Sequence, residues 1–474
     1  MDRQTIGNKI DRCCDVMRDD GLEPSDYLKQ LSWLLFLKLF DDLEKQRAII
    51  NPDYEPVIDK KYQWSSWANK ITGEALSNFV ERKLLPYLSN LSGTPLKAKI
   101  SSIFSDVKNE MKSGYALAEV IEILDSIDSS LTEDSHILSI AYEDLLMRTA
   151  GQKGGGAGEF YTPRPIIRFM IKVVQPKLGE KILDPFCGSA GFLVESYKYL
   201  ADKEETLKDH KILQENTFYG QEFKSLPLIV GTLNAIVHGI ESPNIISANT
   251  FAEDLKSVPD EKKFEVILTN PPFGGKAAKR SLSNFIIKTS DTELAGLYYC
   301  MRKLKTNGRC GIVLPEGVLF KSGSSYRQVK KELLENYNLH TIISLPPGIF
   351  ACVSPKGGQG PKTNLLFFER GFPTKEIWYY ELTSPDEKNY TRNNPIKDED
   401  LEDAYKKWQK REVSENSWIV KVEDIIKRDY DLSAKNPNRV EPPTYRLPKK
   451  LIEEVLQEEK KIAKIIKEVK NLLK

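Results

Sequence analysis

Between residues 160 and 370, seven short apolar runs, at 181–184, 217–221, 245–247, 265–269, 310–314, 341–345 and 364–368, alternate with segments of helical periodicity. Runs separated by helices cannot pair as tight hairpins. Each crossover must carry the chain back over a face of the sheet, so the pattern predicts an α/β fold, a doubly wound sheet with helices on both faces. Ligands in such sheets gather beyond the carboxyl ends of the strands. The residues that end these runs are therefore the first candidates for chemistry.

One run, Phe264 to Thr269, ends in Asn270-Pro271-Pro272-Phe273-Gly274. Pro271 and Pro272 have no N–H to give a sheet, so the strand must stop there and present a carboxamide, a free carbonyl and an aromatic ring together. That set suits a planar amino nitrogen whose lone pair is delocalised into a ring. Asn270 Oδ1 and the Pro271 carbonyl could accept its two N–H bonds and return electron density to nitrogen. Phe273 could stack on the ring, a contact worth roughly 1–3 kcal/mol per base. An ordinary strand-ending turn uses the same punctuation, so the reading depends on what stands with it.

Upstream, the run at 181–184 enters Asp184-Pro185-Phe186-Cys187-Gly188-Ser189-Ala190-Gly191 and then a helix-like segment. Two glycines three apart at a strand-to-helix turn let backbone approach a ligand at the helix amino end. The turn lacks the full G-x-G-x-x-G of a dinucleotide site and the Gly-Lys-Ser/Thr of a phosphate loop. A ligand carrying a charged amino acid in place of phosphates fits it better. The next strand ends at Glu222, at about the spacing where a carboxylate takes the two hydroxyls of a ribose. Alone, Glu222 would read as a solvated strand-end acid; beside the Asp184 turn it reads as a ligand.

Tyr161-Thr162-Pro163-Arg164-Pro165, Asp184-Pro185-Phe186-Cys187-Gly188, Gly220-Gln221-Glu222, Asn249-Thr250 and Asn270-Pro271-Pro272-Phe273-Gly274 follow one another in the motif order of the N6-adenine DNA methyltransferases. More narrowly, the chain resembles the modification subunit of type I restriction-modification systems. Leu31 to Asp41, Gly311 to Gly317 and Ser344 to Phe350 are similar to that family as well, so the likeness runs from about residue 5 to 370. It implies the seven-stranded class I methyltransferase sheet and S-adenosyl-L-methionine as cofactor, held by Tyr161, Thr162, Pro163, Asp184, Gly188, Ser189, Gly191, Glu222 and Asn249. It implies Asn270, Pro271 and Phe273 as the catalytic set acting on an adenine flipped out of duplex DNA, with in-line transfer to N6. The family has small residues where Phe186 stands and Gly or Thr around Ser189-Ala190. Here Ser354 to Pro361 also forms a Gly/Pro/Lys-rich stretch after the Pro-Gly-x-Phe loop. Phe350 stands either as a second base-stacking aromatic or as packing inside its loop. Related rivals methylate a protein glutamine or an RNA amine; a rival of another class is a catalytically silent scaffold.

The formal net charge of +1 is low for a chain that grips DNA by itself, because phosphate contacts need clustered Lys and Arg. Lys276, Lys279 and Arg280, just beyond the Asn-Pro-Pro-Phe motif, are suited to phosphates near a flipped base, or are simply a solvated loop. The six cysteines include no C-x-x-C pair and the four histidines no ligand cluster, so no metal is expected. No stretch of spanning length or signal peptide is read, which predicts a cytoplasmic protein with no membrane association.

The expected divisions are a helical domain over 1–150, a glycine-rich linker at 151–160, the catalytic core over 161–372, a mixed region over 373–446 and an amphipathic helix over 447–474. The linker orders on ligand binding or is a plain joint. In the tail, apolar residues at 451, 455, 462, 465, 469 and 472 lie near a heptad seam broken by Glu458, suited to docking on the chain itself or, the favoured reading, on a partner helix. By resemblance, two copies of such a chain join one specificity subunit that reads the sequence, and a separate restriction subunit translocates and cuts, since no helicase-type phosphate loop occurs here.

Overall fold

The computed structural model describes residues 3–127, 162–276, 281–350, 361–384, 390–391, 394–438, 456, 459–463 and 465–466. Tyr161, Lys279, Arg280, the linker at 151–160 and the stretch 354–360 lie outside them.

The amino-terminal part is helical. Its main elements are α1 (Arg3–Asp19), α2 (Pro24–Ile50), α3 (Pro95–Phe104) and α4 (Gly114–Asp125). Thr94 and Ser113 cap α3 and α4, each accepting the backbone N–H three residues on. Between α2 and α3, a helix over Gly73–Phe79 widens to a π turn at Val80–Leu84 before continuing over Leu85–Ser89. Pro86 accounts for the widening, since its ring cannot sit against the carbonyl one turn back. Trp33, Leu34, Leu35, Phe36 and Leu37 are all buried, so this stretch of α2 runs through the middle of the bundle.

Next come α5 (Arg164–Val174), β1 (Ile182–Asp184), α6 (Gly191–Ala201), α7 (Leu207–Asn216), β2 (Phe218–Glu222), α8 (Ser225–Val237), β3 (Asn244–Ser247) and β4 (Phe264–Thr269). They are followed by α9 (Thr292–Lys303), β5 (Leu304–Pro315), α10 (Ser324–Asn336), β6 (Tyr337–Ser344), β7 (Thr363–Arg370), β8 (Glu376–Glu381), α11 (Glu402–Lys410) and β9 (Ser417–Lys421). All nine strands form one sheet in the order β3-β2-β1-β4-β5-β7-β6-β8-β9. The seven strands predicted from sequence are its first seven, with β7 antiparallel to both neighbours. β8 and β9 carry the sheet two strands further, β8 parallel to β6 and β9 antiparallel to β8.

Strand residues alternate between two cores, as a period of two requires. Val266 and Leu268 face α5 and α6, whereas Ile267 faces α9; in β7, Leu365 and Phe367 face the first side, Leu366 and Phe368 the second. Burial on both faces explains why these strands read as unbroken apolar runs.

One helix is shared. Val230, Leu233 and Ile236 of α8 belong to the core of the amino-terminal bundle, while Ala235 belongs to the sheet's core. Arg47 pairs with Glu241 at 3.1 Å and Lys99 Nζ donates to the Ile245 carbonyl at 2.8 Å, tying the bundle to the β3 edge.

Candidate active site

β1 and β4 lie side by side, Ile182 against Val266, so the turn after Asp184 and the Asn-Pro-Pro-Phe segment meet at one edge. Asp184 is 1% exposed. Thr269 Oγ1 donates to its Oδ1 at 2.6 Å and the Phe186 N–H at 3.1 Å. Burial pushes the Asp184 carboxyl up to about 7; the two donors pull it down and the charge of Glu222 adds to the rise.

The turn is gripped from three sides. Gly188 and Ala190 take left-handed backbone, φ +49° and +62°. Ala190 thus adopts a conformation that glycine adopts freely and other residues rarely do. Glu222 accepts the Gly188 N–H at 3.1 Å through one oxygen and the Lys224 N–H at 2.9 Å through the other. From α8, Asn234 Nδ2 donates to the Ser189 carbonyl at 2.8 Å, and a Cβ on Gly231 would lie 2.4 Å from the Gly188 carbonyl. Gly191 opens α6 directly against Arg164, where a Cβ would meet Nη1 at 2.0 Å. Pro163 caps α5, and Asn249 accepts the Phe251 N–H at 3.1 Å, shaping the loop after β3. Cys187 is buried, and burial pushes its thiol well above the ordinary value, as befits a packing residue.

Asn270 is 8% exposed. Its Nδ2 donates to Thr162 Oγ1 at 3.0 Å, and its Oδ1 is buried with no hydrogen-bond partner. A buried acceptor left in this state costs about 1–3 kcal/mol, a cost usually met where a ligand supplies the missing donor. Pro271 is buried, and Phe273, 6% exposed, meets Phe350 edge-on with ring centroids 6.4 Å apart. Phe350 itself is 1% exposed, so in this conformation it packs inside its loop. Lys276 is exposed and its backbone bridges to Asp291.

The fold therefore gathers Thr162, Asp184, Gly188, Glu222 and Asn270 at one edge. Thr162, read as a cofactor residue, touches Asn270. Sequence reasoning passed over Phe223, 66% exposed immediately after Glu222; an aromatic following a strand-end acid was the available signal. It also passed over Gln221 and Tyr299. Gln221 Oε1 lies 3.1 Å from Thr250 Oγ1 and 3.0 Å from Tyr299 OH, a link that no local pattern announces.

Comparison with known proteins gives the family. Residues 133–444 match the family model described as N-6 DNA Methylase, and residues 6–124 match the one described as HsdM N-terminal domain. The chain is similar to the EcoEI type I restriction enzyme methylase subunit of Escherichia coli, 40% identical over 91% of this chain and 90% of the relative. A crystal structure of a modification subunit of a putative type I restriction enzyme from Vibrio vulnificus superposes with a TM-score of 0.82 at 36% identity, covering 93% of this chain and 98% of that one. A structure from a study of type I system complex assembly and conformational transition gives 0.72 at 42% identity, covering 100% and 99%.

Proposed function

Because the chain belongs to the N-6 DNA methylase family, as a type I restriction-modification methylase subunit specific for adenine, we propose that it methylates N6 of an adenine flipped from duplex DNA, using S-adenosyl-L-methionine. A separate specificity subunit would choose the sequence.

The residues at the β1 and β2 edge fit that cofactor. Two carboxylates, Asp184 and Glu222, flank a turn that opens a helix at its amino end. Asp184 is suited to the cofactor's cationic amino acid end, Glu222 to its ribose hydroxyls, and Phe223 offers an aromatic face to its base. Gly188, Ser189, Gly191 and Asn249 would line the same cleft, with Tyr161, Thr162 and Pro163 along its rim. When bound, S-adenosyl-L-methionine supplies a methyl on a sulfonium centre that is itself the leaving group, so no covalent enzyme intermediate is required.

What remains for the chain is to hold the nucleophile. Asn270 Oδ1 and the Pro271 carbonyl would accept the two N6 hydrogens, and preorganised acceptors in a site closed to water count most. Phe273 would stack on the base, and Lys276, Lys279 and Arg280 would touch phosphates beside it. The observation that carries the reading is the buried, partnerless Oδ1 of Asn270, left as the uncommitted end of the carboxamide because Thr162 takes the nitrogen.

Two copies of the chain per specificity subunit, joined through the carboxyl-terminal helix, complete the proposed modification complex; a restriction subunit would cut and translocate. Co-expression with the cognate specificity subunit and transfer of labelled methyl to duplex DNA tests the reading. N6-methyladenine that disappears with Asn270→Ala supports it. Label on RNA or protein moves the assignment to another amino-group methyltransferase.

A further inference from the structure

α9 meets both halves of the site along a single face. Thr292, Gly296, Tyr299 and Lys303 recur at helical spacing, so they form one stripe roughly 16 Å long. At its amino end, Thr292 is 6% exposed and its hydroxyl has one proton to give. Its shortest acceptor contact is the Pro272 carbonyl at 2.9 Å; the Gly275 carbonyl lies at 3.2 Å and Glu293 Oε2 at 3.3 Å. One turn on, the bare Cα of Gly296 receives the Pro271 ring, which would stand 2.9 Å from an added Cβ. Two turns on, Tyr299 OH lies 2.5 Å from Glu253 Oε2 and 3.0 Å from Gln221 Oε1, while Lys303 Nζ lies 2.5 Å from Glu253 Oε1. Gln221 immediately precedes Glu222.

We propose that Thr292 and Gly296 are positioning residues for methyl transfer, setting the direction of the Pro271 carbonyl relative to the cofactor edge. The proposal rests on the functional reading above. Proline fixes φ at both Pro271 and Pro272, and Pro272 also restricts the ψ of Pro271, so the Pro271 carbonyl is held rigidly relative to its own ring and the ψ of Pro272 is the soft angle left. Thr292 holds the Pro272 carbonyl and so fixes that angle. Gly296 seats the Pro271 ring and so sets where the rigid unit, carbonyl included, lies. Thr292 also occupies the Pro272 carbonyl, leaving the Pro271 carbonyl as the acceptor beside Asn270 Oδ1. The same helix face, through Tyr299 and Gln221, fixes the strand end that carries Glu222. Acceptor and cofactor cleft are thus spaced by one rigid element, which matters because a displacement of about 1 Å in a reacting group can cost on the order of 100-fold in rate.

The test uses the chain in complex with the specificity subunit and compares wild type with Thr292→Val, Thr292→Ser and Gly296→Ala. Single-turnover methyl transfer, S-adenosylmethionine affinity, duplex affinity and melting temperature are measured for each. Thr292→Val should slow transfer roughly 10- to 100-fold while both affinities stay within about twofold, and Thr292→Ser should recover most of the rate. Gly296→Ala should slow transfer with the cofactor affinity likewise held. If Thr292→Val does not fold, Thr292→Ala removes the same hydroxyl and is read in the same way. A valine variant as fast as wild type overturns the proposal, as does a serine variant as slow as valine, or a rate loss matched by lost affinity. Wild type that yields no N6-methyladenine brings down the functional reading itself, and this proposal with it.

Discussion

Thr162 Oγ1 lies 3.0 Å from Asn270 Nδ2, and that contact decides which end of the carboxamide faces the cleft. With nitrogen committed to Thr162, oxygen is the end left to accept. Thr162→Val should free the amide to turn and slow transfer roughly 10- to 100-fold, whereas Thr162→Ser should stay within a few-fold of wild type. Asn270→Ala should cost more, about 100- to 1,000-fold, by analogy with the loss of one preorganised hydrogen-bonding group at a reacting centre. Quantifying N6-methyladenine by mass spectrometry separates these cases; equal rates for the valine and serine variants would contradict the orienting role.

Cofactor binding should depend on pH through Asp184. Its carboxyl, raised by burial to about 7, is neutral in acid and an anion above that value. A cationic ligand favours the anion, so binding should tighten as pH rises through 7, and protons should leave on binding below it. The free protein carries the opposite slope: a raised carboxyl favours folding at low pH, and that contribution is lost as pH climbs from the ordinary carboxylate range toward 7. Calorimetry in two buffers of different ionisation enthalpy measures the proton release; a flat profile between pH 6 and 8 would rule Asp184 out as the linked group.

Gly231→Ala places a methyl against the Gly188 carbonyl, which is backbone and cannot swing aside. The expected result is destabilisation of about 1–3 kcal/mol and a cofactor affinity lowered at least several-fold. Thermal melting with and without cofactor reads both effects. Unchanged affinity would mean that the turn tolerates a shifted α8.

Leu233, fully buried in the amino-terminal bundle's core although it belongs to α8, should cost about 2–5 kcal/mol on truncation to alanine. Urea unfolding monitored in the bundle and in the sheet should show both losing stability together. A loss below 1 kcal/mol would contradict the packing of bundle on sheet.

Leu456, Ile462, Ile465 and Ile466 are exposed, on the segment proposed to dock the specificity subunit. Replacing Ile462 and Ile466 by Asp should abolish co-purification with that subunit while leaving cofactor binding intact. Retention of the complex would place the docking surface elsewhere.

The sheet was readable because its strands are buried on both faces and punctuated at their ends. Asn270 and Glu222 were readable for the same reason, since each stands where a run stops. β8 and β9 were not: Ile377 to Tyr380 is aromatic and short, β9 lies more than thirty residues later, and α11 intervenes, so only long-range pairing reveals them. β5 begins at Leu304, six residues before the predicted run, because Lys305 to Arg309 is polar and carries Asn307 in left-handed backbone within an irregular register. The α9 stripe was invisible for another reason. Thr, Gly, Tyr and Lys at helical spacing resemble ordinary core and rim, and their role depends on which loops the fold brings against them.

The strand order also bears on how a ribosome delivers the protein. β1 to β4 adjoin one another and can pair once residue 269 has emerged, but β5 and β6 meet only through β7, made later and inserted between them. β8 then covers the far side of β6, and β9 covers β8. During synthesis the β1 to β4 half, proposed to hold the cofactor, can pair first while the other half exposes open apolar edges until residue 421 appears. A messenger truncated ahead of the β9 codons would therefore release a chain that keeps the β1 to β4 half yet is prone to aggregate.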